Sequence, residues 1–116
     1  MLMDLPPQQV FCIAQVIYAE ARGEPVAGQR AVGHVVINRS KKTGKPACTI
    51  IKEPGQFQVR FKKSYKGKDW DKAYSIASNL GSDNTAGARY FKSRRLGSSW
   101  GKLRITTSIG GHNFYK

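Results

Sequence analysis

Apolar residues first recur at helical spacing after Pro6-Pro7, where Val10, Ile13, Ala14, Ile17 and Ala21 share one stripe. Two prolines suit a helix entry, because the first backbone N–H groups have no intrahelical acceptor, and Gly23 and Pro25 stop the segment after Ala21. A second helix is predicted from Pro25 or Val26 to about Arg39, with Ala31, Val32, Val35 and Val36 as its buried face. The short Gly23-Glu24-Pro25 connection makes these two helices packing neighbours. From Ser40 to Lys68 basic residues mix with Gly, Pro and one short apolar run, Cys48-Thr-Ile-Ile51, which reads mainly as loop and a natural place for substrate contacts. A third helix is expected from Asp69 or Trp70 to Leu80, with Trp70, Ala73, Tyr74 and Ala77 facing inward and Gly81 as its stop. Ala88 to Phe91 reads as a short strand. Leu103, Ile105, Thr107 and Ile109 alternate as a half-buried strand does, and Gly110-Gly111 permits a turn into His112-Asn-Phe-Tyr115. Three helices and a small antiparallel sheet near the C-terminus make an α+β fold.

The chain has 116 residues with no repeat, low-complexity tract or linker, which predicts a single domain over 1–116. No run approaches the ~18 apolar residues of a membrane span, and the start lacks the charged and apolar regions of a signal peptide. Charge is the strongest bias: 20 Lys and Arg against 7 Asp and Glu, formally +13, a field that concentrates polyanions such as nucleic acid or an anionic cell envelope. The few acids also permit a census. Any acid–base chemistry must draw on Asp4, Glu20, Glu24, Glu53, Asp69, Asp71 and Asp83.

Two cysteines, Cys12 and Cys48, and two histidines, His34 and His112, give no zinc spacing, so no metal and no cofactor is expected. Cys12 lies in the apolar stretch of the first helix and reads most simply as a core residue, with a Cys12–Cys48 bridge left open for an oxidising compartment. His34, inside the Val-rich helix, reads as core or helix surface.

On a helix turning about 100° per residue, Glu20 falls only about 20° from Ile13 and so lies along the apolar stripe. Burial penalises the charged carboxylate and the negative end of the helix dipole does the same, so this position suits a general acid. The alternative is an ordinary solvated or salt-bridged acid near a helix end.

The residues around Glu20 carry a resemblance. Ile17-Tyr-Ala-Glu-Ala-Arg-Gly-Glu-Pro25, Gly28-Gln-Arg-Ala-Val-Gly-His-Val-Val-Ile-Asn-Arg39, Pro54-Gly-Gln-Phe57, Asp83-Asn-Thr-Ala-Gly-Ala-Arg-Tyr-Phe91 and Ile109-Gly-Gly-His-Asn-Phe-Tyr115 together resemble the SleB/CwlJ-like cell-wall hydrolases, in order and over nearly the whole chain. The resemblance implies a compact, lysozyme-like α+β domain that cuts peptidoglycan, with Glu20, the first glutamate of the motif, as catalytic acid. It also favours Tyr90 near the cleft. One departure stands out: where the family commonly has a His-Asn-like sequence after the aromatic pair, this chain has Lys92-Ser93-Arg94-Arg95. Among the remaining residues, Gln56 and Phe57 are candidates to bind a sugar amide and stack on its ring, and His112 to donate to substrate or orient Glu20. Trp70 reads as a packing anchor, and Trp100, in a Gly/Ser loop, as the better sugar platform.

Family members include lytic transglycosylases and amidases, so the bond must be chosen on chemistry. An amidase usually needs a metal, and the ligands are too few. A muramidase needs two carboxylates, for which Glu24, one helical turn from Glu20, is the candidate second acid. A lytic transglycosylase needs one acid that returns as base, and the carboxylate census ranks it first. The expected partners are peptidoglycan glycan strands and the anionic envelope surface, with the protein acting as a monomer. A small basic chain without a signal peptide suits a phage-type endolysin, made in the host cytoplasm and reaching the wall through a membrane lesion. A basic nucleic-acid-binding protein is the competing reading, but no helix-turn-helix, zinc-finger or RNP-like signature accompanies the charge.

Overall fold

In the computed structural model of the chain the described residues are 5–54, 57, 59, 62 and 64–116. Four helices and a three-stranded sheet follow in the order α1 (Pro7–Ala21), α2 (Val26–Thr43), α3 (Ala47–Ile51), α4 (Lys68–Ser78), β1 (Tyr90–Ser93), a single 3-10 turn (Arg94–Leu96), β2 (Ile105–Ile109) and β3 (His112–Tyr115). This is the expected α+β fold in a single compact unit.

The first helix is the hub, packing against α2, α3 and α4. Its buried set, Val10, Cys12, Ile13, Ala14, Gln15, Val16, Ile17 and Ala21, is wider than the single stripe the spacing marks, because helices cover it on several sides. Gln15 is tolerated there because its amide donates to the Tyr65 hydroxyl at 3.0 Å. In α4 the inward residues are Trp70, Ala73, Ile76 and Ala77. Tyr74, expected among them, is 37% exposed, with its ring tilted against Trp70 at 6.0 Å between centroids. Two side chains of α2 tie down the segment after α4: Arg30 Nε and His34 Nε2 both lie against the Leu80 carbonyl, at 3.0 and 3.1 Å. His34 is thus a satisfied core histidine.

Several boundaries differ from the sequence expectation: α4 ends at Ser78 and not Leu80, and β1 runs from Tyr90 to Ser93 and not from Ala88 to Phe91. The second helix runs four residues past Arg39, ending where Gly44 adopts φ 75° and its N–H reaches the Ser40 carbonyl at 2.8 Å. Lys41 and Lys42 in that last turn complement the negative helix end, so a basic run that resembles loop extends the helix. The Cys48-Thr-Ile-Ile run forms α3 where loop was expected. Ala47, Ile50 and Ile51 are buried, Gln9 Oε1 accepts from the Cys48 amide, and Cys48 is bridged to Cys12. Cys12 is therefore both core, as expected, and disulfide-bonded.

The sheet has the order β1-β3-β2, antiparallel throughout. Alternation along β1 sends Phe91 to the face shared with Phe114 and His112, and Tyr90 and Lys92 to the face shared with Tyr115. The first face, with Phe114, Phe91 and Ile109, joins the helical core. The second carries the loop 97–104, held by the Tyr115 hydroxyl donating to the Ser98 carbonyl at 2.9 Å and by Trp100 edge-on to Tyr115 and Tyr90. The simple alternation expected for β2 is broken by a bulge: Ile105 pairs with Tyr115 but Thr107 pairs with Phe114, so one extra residue intervenes. Ile105 is left 43% exposed, not half-buried in the core as its spacing suggests.

The bridge closes a sequence separation of 36 residues that contains all of α2. Opening it by reductant, or by Cys48→Ser, is expected to lower stability by about 3–4 kcal/mol through the freed entropy of the unfolded chain. Urea unfolding with and without dithiothreitol measures this; unchanged midpoints would mean that α3 is held by its apolar contacts alone.

Candidate active site

Glu20 occupies the last turn of α1, half-buried between exposed Ala19 and Ala21, which is 1% exposed. It is partly covered and not fully buried, because the helical shell around α1 ends at this turn. The chain then bends: the Glu24 amide donates to the Ala21 carbonyl at 2.9 Å, and the Glu24 carbonyl accepts from the Gln29 side chain at 2.9 Å. The bend brings the Glu24 carboxylate to the β2–β3 turn, where Oε1 accepts from the Gly111 amide at 2.7 Å. Glycine is required on this turn. Gly110 has φ 56°, and a Cβ there would overlap Glu24 Oε1 and press on Pro25. Glu24, the candidate second carboxylate, therefore has a structural partner: it joins the α1–α2 bend to the hairpin.

His112 begins β3, one residue after that turn, with its ring edge-on to Phe91 at 5.2 Å. Burial pushes its pKa below the ordinary histidine value, and the nearby Glu24 carboxylate works in the opposite direction. Its Nδ1 is buried with no hydrogen-bond partner among the described residues, so an added proton there would have no acceptor. Both facts favour the neutral ring. The electrostatic neighbour thus identified is Glu24, whereas the sequence reading linked His112 to Glu20.

Phe57 lies 6.2 Å from Phe91, centroid to centroid, and so adjoins the His112 face of the sheet. Tyr90 is on the other face, beneath Trp100 at 5.7 Å. Between them lies a residue to which the sequence reading gave no role. The Arg39 guanidinium sits 4.9 Å from the Phe57 ring and 4.7 Å from the Tyr90 ring, and its Nε donates to the Arg89 carbonyl. Burial lowers its pKa, with Tyr90 and Glu53 opposing, yet a guanidinium stays charged in any case. The signal was present in the sequence, since Arg39 follows Val32 and Val35 at i+7 and i+4 on the buried face of α2. Gln56 lies outside the described residues.

The approach to β1 is fixed by Asp83. Burial tends to raise its pKa, but hydrogen bonds from the Thr85 hydroxyl and amide, the Asn38 side chain and the Gly87 amide prevail and hold it below the usual carboxylate range. Asn38 also donates to the Ala88 carbonyl at 2.8 Å, so α2 positions both ends of this loop. Of the two tryptophans, Trp70 is 7% exposed and stacked on Tyr65, whereas Trp100 is 36% exposed.

A family model described as Cell Wall Hydrolase matches residues 23–115, which include Glu24, Phe57, Tyr90 and His112 and begin three residues after Glu20. The chain belongs to the cell wall hydrolase family. It is 34% identical over 109 residues to a spore cortex-lytic enzyme of Halalkalibacterium halodurans, covering 88% of this chain and 33% of that protein, so it spans about a third of that relative's length. Two solved structures share the whole fold. The catalytic domain of the Bacillus cereus SleB protein aligns with TM-score 0.74 and 28% identity, covering 100% of this chain and 98% of that one. The catalytic domain of the germination-specific lytic transglycosylase SleB from Bacillus anthracis aligns with TM-score 0.77 and 27% identity over 100% of both. The resemblance read from the five sequence blocks thus holds for this cell wall hydrolase at the level of family and fold.

The His112 environment gives a measurable pH response. With its folded pKa below the unfolded value of about 6.5, stability is full above that pH and falls as pH drops through the interval down to the folded pKa. The ring titration followed by NMR should have its midpoint below about 6.5, and Glu24→Gln should lower it further by removing the opposing charge. A wild-type midpoint above about 6.5 would show that burial does not dominate at this ring, and no fall in the variant would show that Glu24 does not face it.

Proposed function

We propose that this cell wall hydrolase cleaves the β-1,4 bond between N-acetylmuramic acid and N-acetylglucosamine in peptidoglycan as a lytic transglycosylase, with Glu20 as its catalytic residue. The observation that carries this reading is the whole-chain structural agreement with a domain known as a lytic transglycosylase. The position of Glu20 supports it: a half-buried carboxyl on the final turn of a helix held by three others.

In the proposed reaction the Glu20 carboxyl protonates the glycosidic oxygen, the C1–oxygen bond breaks, and positive charge develops at the muramyl ring. The resulting carboxylate takes the proton of the C6 hydroxyl as that oxygen closes on C1. The product is a 1,6-anhydromuramyl end, and Glu20 regains its proton. No water is consumed and no second carboxylate is needed, which suits a chain whose nearest acid, Glu24, accepts a hydrogen bond from the hairpin turn. Phe57, Gln56, Tyr90 and His112 are proposed substrate contacts, and Arg39, in contact with both rings, is proposed to position Phe57 and Tyr90.

Mass spectrometry of fragments from purified peptidoglycan tests the bond. Anhydromuramyl ends are expected; reducing muramyl ends would replace the reading with a muramidase in which water attacks, and free stem peptides with an amidase. Glu20→Gln should cut the rate by about 10²–10⁴-fold with unchanged unfolding, since an amide can neither give nor take this proton. Retained activity in that variant would move the acid elsewhere.

A further inference from the structure

The last 33 residues, 84–116, contain Arg89, Lys92, Arg94, Arg95, Lys102, Arg104 and Lys116 and not one acid. The first 83 residues, by contrast, hold 13 basic residues and all 7 acids, so a net +6 is spread over more than twice the length. The surplus is concentrated further by the fold. From Arg94 to Ile105 the chain runs over the outside of the sheet as the 3-10 turn, the 97–104 loop and the start of β2, and every residue in it except Leu103 is exposed. Among the described residues one ion pair forms, Lys45–Glu53, and it belongs to the region of α3. Arg94 is engaged with the Gly110 carbonyl; Arg95, Lys102 and Arg104 are exposed, and Lys92 Nζ sits 5.5 Å from the Trp100 ring.

The same twelve residues hold three of the five large apolar side chains that are exposed among the described residues: Leu96 at 68%, Ile105 at 43% and Trp100 at 36%. Ile105 is there because of the bulge, which turns it out of the core register. Cations alone suit any phosphate polymer and give no reason for leucine, isoleucine and tryptophan to face water beside them. A charged lipid surface takes both, the headgroup phosphates meeting Lys and Arg while the apolar groups enter the boundary between headgroups and acyl chains.

From this juxtaposition we infer that the outer surface formed by Arg94–Leu96, the 97–104 loop and Ile105 is a docking face for an anionic lipid membrane. The occupant is a bilayer bearing phosphodiester headgroups of the phosphatidylglycerol type. The face has Arg95, Lys102 and Arg104 as headgroup contacts and Leu96, Trp100 and Ile105 as the shallowly inserted groups. Trp100 packs on the proposed substrate contact Tyr90, whereas Arg95, Leu96 and Lys102 lie outside the proposed substrate contacts, and the face would hold a cationic wall enzyme at the membrane beside its substrate.

Sedimentation with vesicles of phosphatidylcholine containing phosphatidylglycerol, against phosphatidylcholine alone, tests the inference on the full chain. Binding to the anionic vesicles only is expected, weakening with salt, together with a blue shift of tryptophan emission that reports Trp100, because Trp70 is already buried. Arg95→Glu with Lys102→Glu should weaken vesicle binding by about tenfold or more. Leu96→Asn should reduce vesicle binding and leave binding to soluble polyphosphate unchanged. Both variants should still clear isolated cell walls at the wild-type rate, which separates this face from the catalytic proposal. Absence of vesicle binding overturns the inference. So does polyphosphate binding as tight as vesicle binding with no emission shift and no effect of Leu96→Asn, since the face would then be a site for soluble polyanions.

Discussion

The fold is organised by the enclosure of one helix. Eight residues of α1 are buried, and α2, α3 and α4 each pack on it. One of those partners, α3, is only five residues long, too short to persist by its own helix propensity, and is held by Cys48 and by its buried Ala47, Ile50 and Ile51. At the C-terminal turn the enclosure becomes one-sided: Ala21 stays buried, Tyr18 and Glu20 are half-buried, and Ala19 and Arg22 are exposed. A carboxyl that must both give and receive a proton belongs at such a border. Full burial would forbid its anion, and full exposure would leave it an ordinary acid.

The two glutamates of the Glu-Ala-Arg-Gly-Glu segment have separate tasks on this account. Glu24 lies past the end of α1 and fastens the interhelical bend to the Gly110-Gly111 turn, and Arg94 reaches the same turn through the Gly110 and Gly111 carbonyls. Besides the core contacts of Phe114, Phe91 and Ile109, the helices and the sheet are therefore joined at this glycine pair, where a side chain beyond hydrogen would press on the carboxylate. His112 follows directly, so its neutral ring is placed by the same junction. With Glu24 committed to the hairpin turn, the proposed chemistry is assigned to Glu20 alone, which accords with a one-carboxylate mechanism.

Much of the fold was legible because its long elements bury one face with a strong period. The helices α1, α2 and α4 and the strands of the sheet follow from spacing and from their Gly and Pro boundaries. What escaped was decided by tertiary contact. The short helix α3 depends on the disulfide, the extra turn of α2 on helix-end electrostatics, and the outward Tyr74 and Ile105 on helix rotation and on a bulge that spacing does not encode. In the candidate site, the apolar stripe led to Glu20, which the structure leaves half-buried. Arg39 lies on a similar stripe and was passed over, because a basic residue near a helix end is ordinarily solvent-facing, and its two aromatic partners are 18 and 51 positions away in sequence. The position of Tyr90 and His112 on opposite faces depends on sheet register, which the sequence did not specify at β1.

The charge of the molecule then takes on a definite meaning. A formal +13 on a small fold raises its energy through self-repulsion, and the described ion pair between Lys45 and Glu53 relieves little of it. A core closed by a disulfide tolerates that repulsion, but nothing in folding calls for it. Nor is the surplus spread evenly: the acids gather in the first 83 residues, where they hold the hairpin turn, start α4 and pin the 83–88 loop, while the sheet's outer surface has none. Lys92 and Arg94 donate to the Ser99 and Gly110 carbonyls, but Arg95, Lys102 and Arg104 are exposed beside leucine and tryptophan on the same surface, which accords with the proposed encounter with a membrane. The helical part, which carries the candidate acid, is thus cationic but holds every acid of the chain, whereas the C-terminal sheet region carries basic residues alone and is the proposed docking face.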